Sequence, residues 1–76
     1  MSIPIGKKLL AFHIARLKDK NADVRLKSIH ELAQLGDAEA LPVLEELFKN
    51  DSDSEVRRAA QEAGKTIYNA NKSVQK

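Results

Sequence analysis

Two short segments of this chain are the same unit written twice, and that repetition limits the fold more than any other feature. One begins Ala22-Asp23-Val24-Arg25 and the other Ser54-Glu55-Val56-Arg57. At an offset of 32 residues Val24 meets Val56, Arg25 meets Arg57, Ser28 meets Ala60 and Leu35 meets Ile67. A period of this size points to a solenoid of stacked helix pairs. A chain of 76 residues has room for only a fragment of one. It makes at most one domain, read here as residues 1–76.

The helices follow from apolar periodicity and from the residues that punctuate it. Met1 to Ile5 reads as a short tail, with Pro4 setting an extended approach. A first helix is expected over about 6–18. On a helical wheel Phe12, Ile5, Leu9, His13, Leu17, Leu10 and Ile14 follow in rotational order. They cover roughly 200°, against the stripe of about 100° that a one-sided surface helix needs. This helix therefore asks for cover on two sides.

Asp19-Lys20-Asn21 reads as a turn, with Asn21 or Asp23 capping a second helix over about 22–35. Val24, Ser28, Leu32 and Leu35 form its main stripe, and Leu26, Ile29 and Ala33 widen it. Gly36 suits the left-handed position that closes a helix, and Asp37 is placed to cap the next. A third helix is expected over about 38–50, with Ala40, Leu41, Val43, Leu44, Leu47 and Phe48 on one face. Pro42 lacks an N–H, so it belongs in the first turn or where the helix truly begins. The polar run Asp51-Ser52-Asp53-Ser54 reads as a further turn, and a last helix is expected over about 54–70. Its stripe of Val56, Ala59, Ala60, Ala63, Ile67 and Ala70, continued to Val74, permits close approach but adds little area per residue. Residues 71–76 read as a polar, flexible tail.

The segments Asp23-Val24-Arg25 through Leu35-Gly36-Asp37, Ala40-Leu41-Pro42-Val43-Leu44 with Leu47, and Asp53 through Ala60 resemble a HEAT-like repeat. They resemble in particular the short kind found in the phycobilin lyase subunits. The resemblance covers about two-thirds of the chain. It implies an all-α fold, a truncated HEAT-type α-solenoid of about four helices stacked antiparallel through short turns. It also implies that Arg25 and Arg57 reach acidic turn residues or carbonyls of adjacent repeats. Ser28 departs from the usual Ala, and Ile67-Tyr68-Asn69 stands where Leu-Gly-Asp is expected. The second repeat thus reads as cut in half, and the first helix as the second half of a repeat whose start is missing. Such proteins imply scaffolding, and the lyase kind implies partnership with a chromophore-bearing protein.

A third branch of the resemblance, deoxyhypusine hydroxylase, holds iron through several His-Glu pairs. Here His30-Glu31 is a single pair, at a different distance from Val-Arg, and the wheel puts His30 on the solvent side. His13, within the apolar arc, reads as a half-buried, hydrogen-bonded histidine; the functional alternative is a pH-sensitive contact at a partner surface. With two histidines and no Cys, a zinc site would need carboxylates or a second chain, and the expectation is no metal. The serines lack a His-acid arrangement, Glu45 and Glu46 point about 100° apart, and the three glycines make no phosphate loop. The chain is expected to be no enzyme and to carry no cofactor.

What remains is binding. The expected role is a small adaptor or assembly factor that covers the exposed side of its first helix with another protein. The contact set is Leu9, Leu10, Phe12, His13 and Leu17, and the same surface could instead pair with itself in a homodimer. The alternative is a basic ridge on the last helix, in which Arg58, Lys65 and Lys72 recur every seven residues beside Arg57 and Tyr68. It could track a nucleic-acid backbone or an acidic surface, although Glu55 and Glu62 weaken it and a solvated face is the plainer account. A formal charge of +2 adds little to that case. A third reading is an accessory subunit of a bilin-lyase-type enzyme. Lys7 and Lys8 interrupt any apolar leader, so neither a signal peptide nor a membrane span is read, and the chain is expected in the cytoplasm.

Overall fold

A computed structural model describes residues 5–72; the readings that fall on residues 1–4 and 73–76, including the stripe position Val74, lie outside it. The described residues form four α-helices and one 3-10 turn, with no strand among them. These are α1 (Ile5–Arg16), α2 (Ala22–Leu35), a 3-10 turn (Ala38–Ala40), α3 (Leu41–Asn50) and α4 (Ser54–Lys72).

Each boundary has a local cause. The Asn21 side chain accepts a hydrogen bond from the Asp23 N–H at 2.8 Å and caps α2. Gly36 ends α2 at φ 67°, and its N–H donates to Leu32 O at 3.1 Å. Asp37 then accepts from the Glu39 N–H at 2.9 Å and opens the 3-10 turn. Pro42 falls in the first turn of α3, where its missing N–H would have had no helical partner. The stretch expected as one helix over about 38–50 is accordingly split, and the α-helical part starts only at Leu41. Asp53 caps α4, accepting from the N–H groups of Glu55 at 2.8 Å and Val56 at 3.1 Å.

Two ends differ from the sequence expectation. At the first, α1 closes at Arg16, with Leu17, Lys18 and Asp19 continuing in tighter turns onto Ile14, Ala15 and Arg16 carbonyls. At the second, the tail expected from residue 71 begins later. Asn71 and Lys72 are helical, because the Asn71 side chain donates to Ile67 O at 2.8 Å and to Gly36 O at 3.0 Å. That carboxamide ties the end of α4 to the link between α2 and α3.

The helices make a thin slab of 35 × 31 × 16 Å. Along its length α4 packs against both α2 and α3, while α1 finds its main neighbour in α2 alone. Leu10 and Leu17 of the α1 region, Ile29 and Leu32 of α2, Ala40, Leu44 of α3, and Val56, Ala60, Ala63 and Ile67 of α4 form the core. The small side chains of α4 let its backbone lie close to its neighbours, so area is gained by proximity. Ala70, expected on the same stripe, is exposed. At the same link Lys7 ties α1 to the α2–α3 connection through Asp37 at 2.7 Å and Glu39 at 3.2 Å.

Candidate interaction surfaces

The repeat visible in the sequence is a repeat of hydrogen bonds. In the first turn the Asn21 N–H donates to Asp19 Oδ1 at 2.9 Å, and in the second the Asp53 N–H donates to Asp51 Oδ1 at 2.9 Å. Arg25 Nη1 donates to Asp19 O at 2.7 Å, and Arg57 Nη1 donates to Asp51 O at 2.6 Å. Between the two turns runs one further link. Arg25 Nε and Nη2 grip the Asp51 carboxylate at 2.9 and 3.0 Å, a planar fork on a planar acceptor. Only 12% of the Arg25 side chain and 5% of the Asp51 side chain are exposed. This matches what the sequence resemblance implied for Arg25 and Arg57.

The outer side of α1 carries two exposed large apolar side chains. Leu9 is 45% exposed and Phe12 53%, and Ala11 and Ala15 of the same helix are exposed as well. Arg16 lies over the Phe12 ring at 5.3 Å, and His13 meets that ring edge-on at 5.1 Å. A groove of about 410 Å³ along the same helix is lined by Leu10, Ala11, Ile14 and Ala15 with Lys7, Lys18 and, from the α2–α3 link, Glu39. Every charged side chain on α1 is basic.

The expected contact set divides on this geometry. Leu9 and Phe12 face outward. Leu10 and Leu17 are corrected: at 3% and 4% exposure they hold α1 onto the core and offer an outside partner little. His13 is half-buried as expected, yet among the described residues its buried Nδ1 meets no hydrogen-bond partner, so the hydrogen-bonded reading is corrected as well. His30 is exposed on α2.

The basic ridge divides too. Arg58, Lys65, Lys72 and Tyr68 are exposed along α4. Arg57 is drawn away into the turn by its bond to Asp51 O, so it does not extend the ridge. Arg58 shares a groove of about 390 Å³ between α2 and α4 with Glu55 and Glu62, which offset its charge. Sequence reasoning missed Asn71 altogether. Its signal was its place four residues after Ile67, from which a side chain can cap the closing turn of α4.

Short-linked α-helices packed in series, with two turns built alike and joined by a charged link, define the class of helical-repeat solenoids. The family model for HEAT repeats matches residues 5–64, and the chain belongs to that family. HEAT repeats commonly serve as protein-interaction modules. Comparison with curated proteins gave no match, and comparison with solved structures gave none either. Among the described residues no helix is long and apolar enough to cross a membrane.

Proposed function

We propose that this chain is a small, non-catalytic adaptor or assembly factor that binds another protein by covering the outer side of α1. The observation that carries this reading is the uncovered arc of α1. The helix has one main neighbour, presents Leu9, Ala11, Phe12 and Ala15 to solvent, and carries only basic charge. The partner that fits is an amphipathic helix with an apolar ridge for Leu9 and Phe12 and flanking acidic residues for Lys8 and Arg16. Covering the open half of Leu9 and of Phe12 contributes roughly 1 kcal/mol each before binding costs. The bilin-lyase accessory role is a narrower form of this reading and is supported by the sequence resemblance alone.

Affinity capture from source-cell lysate tests it, run with and without nuclease and with Leu9→Asp and Phe12→Asp beside the parent chain. A stoichiometric protein that survives nuclease and is lost with both folded variants is the expected result. Its retention by both variants would remove α1 as the binding surface.

A second reading rests on the exposed line of Arg58, Lys65 and Lys72 with Tyr68 beside it. There the ligand is a nucleic acid, held by its phosphates. Binding would fall steeply with salt and disappear in the Arg58→Glu, Lys65→Glu double variant. A parent chain that binds no nucleic acid at low salt ends that reading.

A further inference from the structure

The link between Arg25 and Asp51 leaves two half-links at opposite ends of the stack. Arg57 occupies the place of Arg25 one repeat later, with the same Nη1 bond to a turn carbonyl. Among the described residues no carboxylate meets its Nε or Nη2. Asp19 occupies the place of Asp51 one repeat earlier, with the same Oδ1 bond from the N–H two residues on. Among the described residues no cation reaches its carboxylate, which is exposed where that of Asp51 is buried. One turn therefore carries the acceptor and the other the donor, each already shaped by the bonds seen in the completed link.

We infer that the chain stacks head to tail on a second copy of itself, with Arg57 of one copy gripping the Asp19 carboxylate of the next as Arg25 grips Asp51. The surface around Arg57 suits this. Arg57, Gln61, Gly64 and Tyr68 recur at helical spacing along one side of α4. Beside them an open groove of about 200 Å³ between α3 and α4 is lined by Leu41, Leu44, Phe48, Ala60 and Gly64. The matching positions on α2 are Ile29 and Leu32, both fully buried beneath the next repeat, whereas α4 has Gln61 and Gly64 there. The contact between copies is thus more polar than the one inside the chain, and so weaker and more sensitive to salt. Because the two joined surfaces differ, the association is heterologous and builds a stack or ring of several copies rather than a two-fold dimer. At the 32-residue offset Leu9 and Phe12 fall at the places of Leu41 and Leu44, so a stacked copy draws on the same side of α1 as the partner proposed above, and Arg57→Glu, which leaves α1 untouched, tells the two apart.

Sedimentation of the purified chain across the micromolar to millimolar range, at low and high salt, tests the inference. The expected result is a concentration-dependent series of species that shrinks with salt. Arg57→Glu and Asp19→Arg should each weaken association by about tenfold or more. Mixing these two variants should restore it, since each then offers the complement of the other. Gly64→Arg provides a control against loss of fold, because a Cβ at Gly64 meets nothing within 4 Å. It should stay folded by circular dichroism and fail to stack. A parent chain that is monomeric throughout overturns the inference. So does a failure of the mixed variants to associate while both are folded, or unchanged association of Gly64→Arg.

Discussion

Arg25 and Asp51 lie 26 residues apart in sequence and are joined by two hydrogen bonds of 2.9 and 3.0 Å, at a point where both side chains are nearly covered. The pair connects the start of α2 to the turn before α4 and so fixes the register of one repeat on the next. Removing either member leaves the other buried and unpaired, which costs about 3 kcal/mol or more. Arg25→Ala and Asp51→Asn should each lower the unfolding free energy by that amount, read from urea denaturation. The double variant should cost less than the sum of the two, because each single change breaks the same link.

Acid should weaken the fold through the same pair. Burial alone pushes the Asp51 carboxyl up, but the Arg25 bonds, the Asp53 N–H and the charges of Arg25 and Arg57 outweigh it and hold its pKa below the ordinary value of 3.8. A carboxyl whose pKa is lower folded than unfolded stabilises the fold above its unfolded pKa. That contribution is lost as pH falls through the folded value. Asp37, held down by Lys7, acts in the same direction but is more exposed and contributes less. Thermal melts from neutral pH down should show stability falling below about pH 4, and Asp51→Asn should flatten that fall.

The glycines at 36 and 64 should respond oppositely to alanine. Gly36 sits at φ 67°, a left-handed conformation that a Cβ disfavours, so Gly36→Ala should cost about 1 kcal/mol. Gly64 lies within α4 with open space around it, and Gly64→Ala should stabilise by about 0.5–1 kcal/mol through helix propensity. Chemical denaturation of the two variants separates a conformational role from an incidental one.

Ser28 is buried at 1% exposure, and its hydroxyl finds no hydrogen-bond partner among the described residues. A buried hydroxyl without a partner costs free energy that an apolar group does not. Ser28→Ala should therefore raise the melting temperature, with a gain of about 1 kcal/mol. An unchanged or lower melting temperature would show that the hydroxyl is satisfied.

Much of this fold is written in short-range chemistry, and that part is legible in the sequence. Asn21, Gly36 and Asp37 act at helix ends through bonds reaching only a few residues, so their identities suffice. The 32-residue offset foretells that Arg25 and Arg57 do the same work, since identical local bonds need identical residues. The inward side of α1 was not legible. Its apolar residues run most of the way round the helix, so periodicity does not separate Leu10 and Leu17, which are buried, from Leu9 and Phe12, which are not. The choice is made by contact with α2, and a single helix does not encode it. Arg57 was misread for a related reason: spacing on α4 puts it beside the basic ridge, but its bond to Asp51 O takes it elsewhere.

The Asn71 carboxamide, bonded at once to Ile67 O and Gly36 O, makes the last described turn of α4 and the α2–α3 link a single unit of local opening. A helix end ordinarily frays on its own, and a link between helices ordinarily breathes on its own. Here neither can open without releasing the other, so their amides should exchange with solvent together, and Asn71→Ala should uncouple them. The slowest hydrogens of the link would then report on a residue 35 positions away in sequence.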